Sequence, residues 1–346
     1  MTDAMLTNST SEPKISIIRE ADIPLLIKSI TKNLFEKDHN LVKKFNSKYW
    51  YWQYKQNPKK QSFIYVAWIN KQIVGYYHVA TYSFMANNTK QVIGNVQDVA
   101  VDEQFQGKGI FRKLAKFANS DINKYVDILY SFPNKKSINN FLKYDKFKLI
   151  DYMPIYFSPI KINFFFNKKK KLEKNNQVVV FNQLNEKIYE VFEKFSKTHS
   201  YYVLRDKDFL NWRYIDSPKG NFFFVGLITD NKITAVIVVK HDKIFKNDAF
   251  VILDFAFSND VEDLKKLISN FHVILKDNYS LDANFVILSG LSNYMSEIKK
   301  CGYIKIPKLF IPRKLNLLVR LTDRNLKISN IDSSNWLVTL GDWDVF

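Results

Sequence analysis

The chain contains one cysteine, Cys301, among 346 residues. A single cysteine excludes an internal disulfide. The sequence also has no cluster of cysteine and histidine with the spacing of metal ligands, so we expect no metal site. Cys301 itself is expected to be a small buried residue of the core.

Long apolar runs are absent as well. No stretch approaches the ~18 consecutive apolar residues of a membrane-spanning helix. Residues 1–13 are polar and lack the charged-then-apolar pattern of a signal peptide. We therefore expect a cytoplasmic protein.

Arginine is scarce in spite of the net charge of +18, since it provides only seven of the 52 basic residues. Proteins that bind nucleic acids favour the forked guanidinium of arginine, so the lysine excess argues against a nucleic-acid partner. The most basic run, residues 161–174, is expected to be a solvated linker. Weak contact with an anionic membrane surface is the alternative.

What the chain has in abundance is apolar and aromatic residues, 46% and 16% of the total. This composition is typical of a folded protein with substantial cores. The length allows two domains of the usual ~100–200 residues.

The most informative stretch runs from Val92 to Ala118, where the hydrophobic period changes. Val92–Val101 has aliphatic residues on both faces, as in a covered strand, and from Ile110 onward the apolar positions follow helical spacing. Two glycines, Gly107 and Gly109, lie at the change. Glycine lets the backbone approach a ligand, and the free amides of a helix N-terminus favour an anion. The stretch predicts a strand–turn–helix phosphate cradle, although its spacing fits neither a P-loop nor a dinucleotide fingerprint.

The turn and its surroundings resemble the GNAT N-acyltransferase superfamily. The resemblance covers residues 16–158 and rests on Q-x-x-G-x-G after a V-A-V strand end, then a helix, then a strand that ends in Ser131-Phe132-Pro133-Asn134. It implies an α/β fold with a mixed, mostly antiparallel sheet flanked by helices, and acetyl-coenzyme A as the acyl donor. The cofactor-binding residues that it implies are Val99, Ala100, Val101, Gln104, Gln106, Gly107, Lys108, Gly109, Ile110, Phe111 and Asn134.

The catalytic residues are less well marked. Strand alternation places Asn95, Gln97, Val99 and Val101 on one face and Asp98 with Ala100 on the other. The amides of Asn95 and Gln97 cannot take a proton from an amine, so we consider two other bases. Asp98 would serve if a β-bulge turned it inward, and His78 would serve through a water.

A general acid is sought in the segment that resembles the closing motif of the family. That segment ends in Phe141-Leu142-Lys143-Tyr144-Asp145, and the match is imperfect. One alignment puts Phe141 at the position of the usual tyrosine, and the other makes Tyr144 the acid.

The chain also contains a repeat. Trp52-x-Tyr54-x-x-x-Pro58 recurs 160 residues later as Trp212-x-Tyr214-x-x-x-Pro218, and Asp98-Val-Ala-Val is echoed by Asp254-Phe-Ala-Phe. The second copy has no glycine turn and carries acidic residues there, so we expect it to bind no pyrophosphate. The predicted organisation is a flexible N-terminus (1–15), a GNAT acetyl-CoA-binding catalytic domain (16–158), a basic linker (159–176) and a degenerate GNAT-like domain (177–346).

These features predict an acetyl-CoA-dependent transfer of an acetyl group to a primary amine. Tandem halves and a tryptophan-containing tail, which we expect to dock on the protein, resemble GNAT-like proteins of bacterial surface-polysaccharide biosynthesis, so an amino-sugar nucleotide is the first acceptor to consider. Two alternatives remain: an aminoacyl-tRNA-dependent peptidoglycan-bridge enzyme, and a GNAT-like binding module without catalysis. Monomer and homodimer both fit the sequence.

Overall fold

The computed structural model describes residues 12–35, 46–160, 175–181, 183–244, 246–258, 260–311, 314–322 and 333–343. The expected flexible N-terminus and basic linker fall almost entirely outside these ranges. We call residues 12–160 the first half and residues 175–343 the second half.

The first half alternates helices with the strands of a meander. Its elements are β1 (Lys14–Ile17), α1 (Ile23–Ile30), α2 (Ser47–Lys55), β2 (Ser62–Ile69), β3 (Gln72–Ala86), β4 (Thr89–Val101), α3 (Ile110–Ile122), β5 (Ile128–Ser131), α4 (Ile138–Tyr144), β6 (Lys148–Tyr152) and β7 (Ile155–Pro159).

The second half repeats this order with one added strand near its start and one at its end. Its elements are β8 (Asn176–Phe181), α5 (Glu186–Ser196), β9 (Tyr201–Val203), α6 (Lys207–Leu210), β10 (Phe222–Thr229), β11 (Lys232–Ile244), β12 (Asn247–Phe257), α7 (Val261–Tyr279), β13 (Phe285–Leu291), α8 (Met295–Lys299), β14 (Ile304–Lys305), β15 (Asn316–Leu321) and β16 (Trp336–Thr339).

Each half builds one sheet, the two sheets exchange a strand, and β9 and β16 join them between β3 and β13 into one continuous 16-stranded sheet. The first has the order β1-β2-β3-β4-β5-β15-β6, and the second has β8-β10-β11-β12-β13-β7-β14. Their neighbours run antiparallel except β4 beside β5 and β12 beside β13. The predicted α/β class with two GNAT-like copies is confirmed. The domain boundaries stay a prediction, to which the structure adds that each half lends one strand to the sheet of the other.

The repeated tryptophans meet between the halves. The Nε1–H of Trp52 donates to the carbonyl of Trp212 at 2.9 Å, and the Nε1–H of Trp212 donates to the carbonyl of Trp52 at 3.0 Å. Their rings are stacked with centroids 4.7 Å apart. Because equivalent residues make reciprocal bonds, an approximate twofold axis relates the halves at this point.

Helix α3 covers one face of the first sheet. Its side chains at helical spacing, Ile110, Leu114, Ala118 and Ile122, are all buried. They pack in a core with strand residues such as Val96 and Leu129, while a larger core fills the opposite face and continues into the second half. The face of the first sheet away from α3 is therefore the face that meets the second half.

Candidate active site

The predicted cradle, residues 104–109 with the first turn of α3, has the conformation that glycine favours. Gly107 and Gly109 have φ of +76° and +74°, in the left-handed region. Gly109 is the N-cap of α3 and has no side chain with which to bond the first-turn amides. A Cβ on either glycine would meet nothing within 4 Å. The first-turn amides of α3, which include those of Ile110 and Phe111, therefore have no capping side chain at the positive end of the helix dipole.

Neighbouring side chains hold the cradle in place and give it positive charge. The Asp102 carboxylate accepts from the Gln104 amide at 3.2 Å and pairs with Lys32 Nζ at 2.7 Å. The Gln106 side chain donates to the Val101 carbonyl at 2.9 Å. Lys108 is exposed, with its Nζ 5.2 Å from the centre of the Phe105 ring. The arrangement suits a phosphate anion.

Beside the cradle, strands β4 and β5 separate. Their ladder covers three pairs, from Ile93 with Ile128 to Asn95 with Tyr130. The Ser131 hydroxyl then donates to the Val96 carbonyl at 2.8 Å, and no ladder pair of β4 with β5 follows it. We call the space between residues 97–101 and residues 132–134 the gap. It lies between the last β4–β5 pair and the cradle.

Asn134 lies at the far edge of the gap. Its Oδ1 accepts from the amides of Lys136 and Ser137 at 2.9 and 3.1 Å, which fixes the chain that enters α4. The side chain is exposed, and its Nδ2 is a further hydrogen-bond donor at this edge.

A β-bulge interrupts β4 at Asp98. The register of β3 and β4 shifts between Tyr76 and His78, and Asp98 has φ of +46°. The Asp98 carboxylate accepts from the Tyr54 hydroxyl of α2 at 2.5 Å, on the sheet face away from α3. The bulge that was required to turn Asp98 inward is therefore present.

The same bulge makes the prediction from strict strand alternation wrong for residues 98–101. Val99 and Val101 pack in the core under α3, whereas Gln97 and Asp98 face the other way and Ala100 joins the larger core. One additional residue in the strand inverts the order of faces for all that follow. Cofactor contacts from Val99 to Val101 through the backbone do not depend on this order.

His78 is buried behind the bulge with both ring nitrogens in hydrogen bonds. Nε2 accepts from the Trp50 indole N–H at 3.2 Å, so Nδ1 carries the proton and donates to the Asp98 carbonyl at 3.0 Å. Burial lowers the pKa of His78 to about 3. The residue is a neutral brace for the bulge, and its use as a relay to an amine would require breaking one of these bonds.

Tyr144 ends α4 and is 39% exposed. Its ring lies 6.0 Å from the guanidinium of Arg112, in the first turn of α3, and 5.2 Å from Lys143 Nζ. Phe141, its rival in the motif alignment, is buried and packs edge-on against Phe111 at 5.7 Å. Tyr144 is thus the accessible residue of the two, and it lies on the cradle side of the molecule.

The second half repeats the brace but closes the equivalent of the cradle. The Tyr214 hydroxyl donates to Asp254 at 3.1 Å, as Tyr54 does to Asp98. At the start of α7, however, the Asp260 side chain accepts from the Glu262 amide at 2.8 Å, and Glu262 and Asp263 follow in the first turn. These carboxylates repel an anion.

The gap of the second half is also filled. Strand β16 pairs with the end of β13, Gly290 beside Thr339, and the turn Leu340–Asp342 follows between β12 and β13. The packing is close, since a Cβ on Gly341 would lie 2.3 Å from the Tyr214 hydroxyl. We call residues 336–343 the closing segment. As expected from its tryptophans, it docks on the protein, with Trp336 and Trp343 both buried.

A buried charge cluster that the sequence analysis missed holds the closing segment. Arg205 is fully buried and bonds Asp254 at 3.0 Å and Asp342 at 2.6 Å. Arg213 donates to the carbonyls of Gly341 and Trp343 at 2.9 and 2.7 Å. The scarcity of arginine was the available signal, because an arginine in a lysine-rich chain marks a position where a planar, multiply bonded cation is needed.

Two further features concern the described ranges only. None of their helices is long and apolar enough to cross a membrane. Nor do they bring together three or more His, Cys, Asp and Glu side chains that could hold a metal ion.

Comparison with known proteins agrees with this geometry. Residues 27–138 match the acetyltransferase (GNAT) domain family. No curated protein matches the chain in sequence.

Solved structures share the fold at low identity. A GCN5-related N-acetyltransferase from Anabaena variabilis superimposes with a TM-score of 0.63 at 10% identity, covering 90% of this chain and 73% of its own. A conserved protein of unknown function from Enterococcus faecalis gives 0.62 at 9% identity, with the same coverage. Saccharomyces cerevisiae N-myristoyltransferase with bound myristoyl-CoA gives 0.57 at 11% identity, covering 89% of this chain and 82% of its own.

The matched range, residues 27–138, contains the cradle, the gap and the bulge described above. Residues 27–138 accordingly form a GNAT acetyltransferase domain, and the chain as a whole shares the fold of the solved structures named above.

Proposed function

We propose that this protein transfers an acetyl group from acetyl-CoA to a primary amine of a small molecule, with the first half as the catalytic half. The observation that carries the proposal is the contrast between the two copies. The first keeps an uncapped, glycine-lined helix N-terminus beside the gap, where the β4–β5 ladder has ended. The second caps its helix with Asp260 and fills its gap with the closing segment.

The proposed cofactor lies with its pyrophosphate on the cradle and its pantetheine arm in the gap. The amides of Ile110 and Phe111 bind phosphate oxygens, and Lys108 adds a positive charge. Asn134 donates from the opposite edge. The thioester then lies near the bulge at Asp98, where the strands part.

The transfer itself needs one bond made and one broken. The amine nitrogen attacks the thioester carbonyl carbon to form the C–N bond, and the C–S bond breaks as the coenzyme leaves as a thiol. The nitrogen loses a proton in the process and the thiolate gains one. Groups that move these protons contribute about 10²–10⁴-fold each in enzymes of this kind.

Asp98 is our candidate for the group that accepts the proton from the amine. The bulge places it on the face of the first sheet that meets the second half, and Tyr54 fixes one of its oxygens. Tyr144, exposed on the cradle side, is the candidate that returns a proton to the thiolate.

Release of the free thiol from acetyl-CoA, followed with a thiol reagent, tests the proposed reaction. The acceptors would be glucosamine and its nucleotide sugars first, then spermidine and a lysine peptide, with mass spectrometry to identify the acetylated product. Calorimetric titration with acetyl-CoA accompanies the assay. Failure of the folded wild-type protein to bind acetyl-CoA would overturn the proposal.

Asp98→Asn tests the proposed base. Asparagine keeps an oxygen for the Tyr54 hydroxyl but cannot take a proton, so we expect kcat to fall by at least about 100-fold with acetyl-CoA affinity unchanged. Tyr54→Phe is the matched control, since it removes the brace and keeps the carboxylate. Equal losses in the two variants would assign Asp98 to bracing the bulge instead.

A further inference from the structure

The three most exposed large apolar side chains of the described residues lie in one short segment of the second half. They are Leu309, Phe310 and Ile304, which are 89%, 72% and 61% exposed. Single exposed apolar residues are normal on a protein surface, whereas several together mark a contact surface. We call residues 304–310, which include the short strand β14, the tip.

Backbone hydrogen bonds hold the tip in place. The Ile306 amide donates to the Ile155 carbonyl of β7 at 2.9 Å, and the Phe310 amide donates to the Pro307 carbonyl at 3.0 Å, which closes a tight turn. The residues on either side of the tip are both buried. The exposed apolar side chains therefore stand on an anchored backbone and are in position before any partner arrives.

The tip lies in a run of positive charge. Residues 299–314 contain six lysines and arginines and no aspartate or glutamate. Glu297, just before this run, pairs with Lys300 at 2.6 Å. Lys305 and Lys308 of the tip are exposed, and neither forms an ion pair with a carboxylate in the part of the chain that the structure describes. Their charges are available to an anionic partner.

The position of the tip follows from the strand after it. Strand β15 runs antiparallel to β5, with Leu318 beside Ser131. The chain before Leu318 therefore lies at the end of the first sheet where β5 leads into residues 132–134, one edge of the gap. Lys308 also reaches this end, since its Nζ lies 4.8 Å from the centre of the Tyr152 ring of β6. The tip and the gap thus lie at the same end of the first sheet.

Apolar side chains beside unpaired lysines match the two layers of a membrane surface. Apolar and aromatic groups enter the boundary between headgroups and acyl chains, while lysine ammonium groups stay at anionic headgroups. A second copy of this chain is a poorer match, because a symmetric contact would bring like charges together in a chain of net charge +18.

We infer that the tip docks the protein on an anionic membrane surface. Leu309 and Phe310 insert among the lipids, and Lys305 and Lys308 bind the headgroups. The inference does not depend on the proposed function. It adds that the end of the first sheet that carries the gap is held close to the membrane.

Co-sedimentation of the full chain with lipid vesicles tests the inference. One set of vesicles is phosphatidylcholine alone, and the other contains an equal share of phosphatidylglycerol. We expect the protein to bind the anionic vesicles at least about tenfold more tightly, because each lysine near an anionic surface contributes about fivefold to affinity. Added salt should release the protein from them, since it screens the charges.

Two double variants separate the apolar and the charged contributions. Leu309→Ser with Phe310→Ser should weaken binding to anionic vesicles at least about tenfold, because two large apolar side chains no longer leave water. Lys305→Gln with Lys308→Gln should weaken it by about fivefold for each charge removed. All four side chains are exposed, so the free energy of unfolding should not change.

Ile17→Ser with Leu25→Ser is the matched control. Both side chains are 51% exposed, and Ile17 lies on β1, the edge of the first sheet opposite β6. This variant should bind vesicles as the wild type does.

Phe310→Trp reports directly on insertion. The six native tryptophans are buried or half-buried, so lipids with bromine on their acyl chains should quench the fluorescence of the added one selectively.

Three results would overturn the inference. The first is a wild-type protein that does not prefer anionic vesicles. The second is wild-type binding by Leu309→Ser with Phe310→Ser, or equal losses in this variant and in the control. The third is a wild-type dimer in sedimentation that Leu309→Ser with Phe310→Ser dissociates, which would show that a second copy covers the tip.

Discussion

Gly109→Ala separates the two reasons for which a glycine is needed at the cradle. The residue has φ of +74°, where a side chain costs about 1–2 kcal/mol of stability. A Cβ at this position would meet no protein atom within 4 Å. The strain is therefore expected to be the whole effect on the free protein, while the methyl group would occupy the space proposed for the pyrophosphate.

The expected loss of affinity follows from the amides that the methyl group would obstruct. A hydrogen bond to a charged group contributes about 1.5–3 kcal/mol. Losing one such bond weakens acetyl-CoA binding by about 10- to 100-fold, at about 1.4 kcal/mol for each factor of ten. Calorimetric titration measures this change, and urea unfolding measures the change in stability.

Gly220→Ala is the matched control. Gly220 also has positive φ, +53°, and open space at its Cβ, but it lies before β10 in the second half. Its counterpart 160 residues earlier is Lys60, with φ of +50°, so a side chain fits this turn. We expect similar losses of stability in the two variants and a loss of affinity only in Gly109→Ala. Wild-type affinity in Gly109→Ala would refute the cradle, and equal affinity losses would attribute the effect to the fold.

Three further predictions concern stability. Burial lowers the pKa of His78 to about 3 and that of His199 to about 4, from an ordinary 6.5, so each takes up a proton only on unfolding when the pH is between these values. The stability that the two neutral histidines provide is complete above pH 6.5. Urea titrations should show that the free energy of unfolding falls by about 2 kcal/mol per histidine between pH 7 and pH 5. An unchanged free energy of unfolding would contradict this prediction. Trp52→Phe and Trp212→Phe each remove one of the two reciprocal indole hydrogen bonds, and each should lower the free energy of unfolding by about 1–2 kcal/mol. In the double-mutant cycle we expect a coupling energy of about 0.5–1.5 kcal/mol between the two residues. Strict additivity of the two losses would argue against a shared stack. Arg205→Met leaves two carboxylates buried without their cation, so the free energy of unfolding, measured by heat or urea, should fall by about 3–5 kcal/mol. A fall of less than about 1 kcal/mol would show that the cluster is not needed to hold the closing segment.

Local features of the fold could be predicted from the sequence because their causes are local. The cradle follows from a change of hydrophobic period and two glycines within three residues, and the structure has a strand, a turn and a helix at those positions. The repeat could be found because Trp52 and Trp212 stand in identical short patterns. Each of these signals lies within a few residues of the feature that it predicts.

The missed features depend on residues far apart in the chain. The exchange of β7 and β15 could not be predicted, because an apolar strand fits the same sheet position whichever half supplies it. From the sequence, the bulge at Asp98 could be named only as a condition for Asp98 to act as a base. Its presence could not be predicted, because the residues that brace it, Trp50 and His78, belong to other elements. The neutral state of His78 likewise follows from burial, which the sequence around it does not reveal.

Strand exchange has a consequence for the synthesis of the protein. Until β15 has left the ribosome, β5 and β6 of the first half have no strand between them, and both present unpaired edges. Translation at about 5–20 residues per second leaves the half-made sheet in this state for on the order of ten seconds or more. The first half cannot complete its fold while nascent, so chains that terminate before β15, even well beyond the cradle, would be incompletely folded and prone to aggregate.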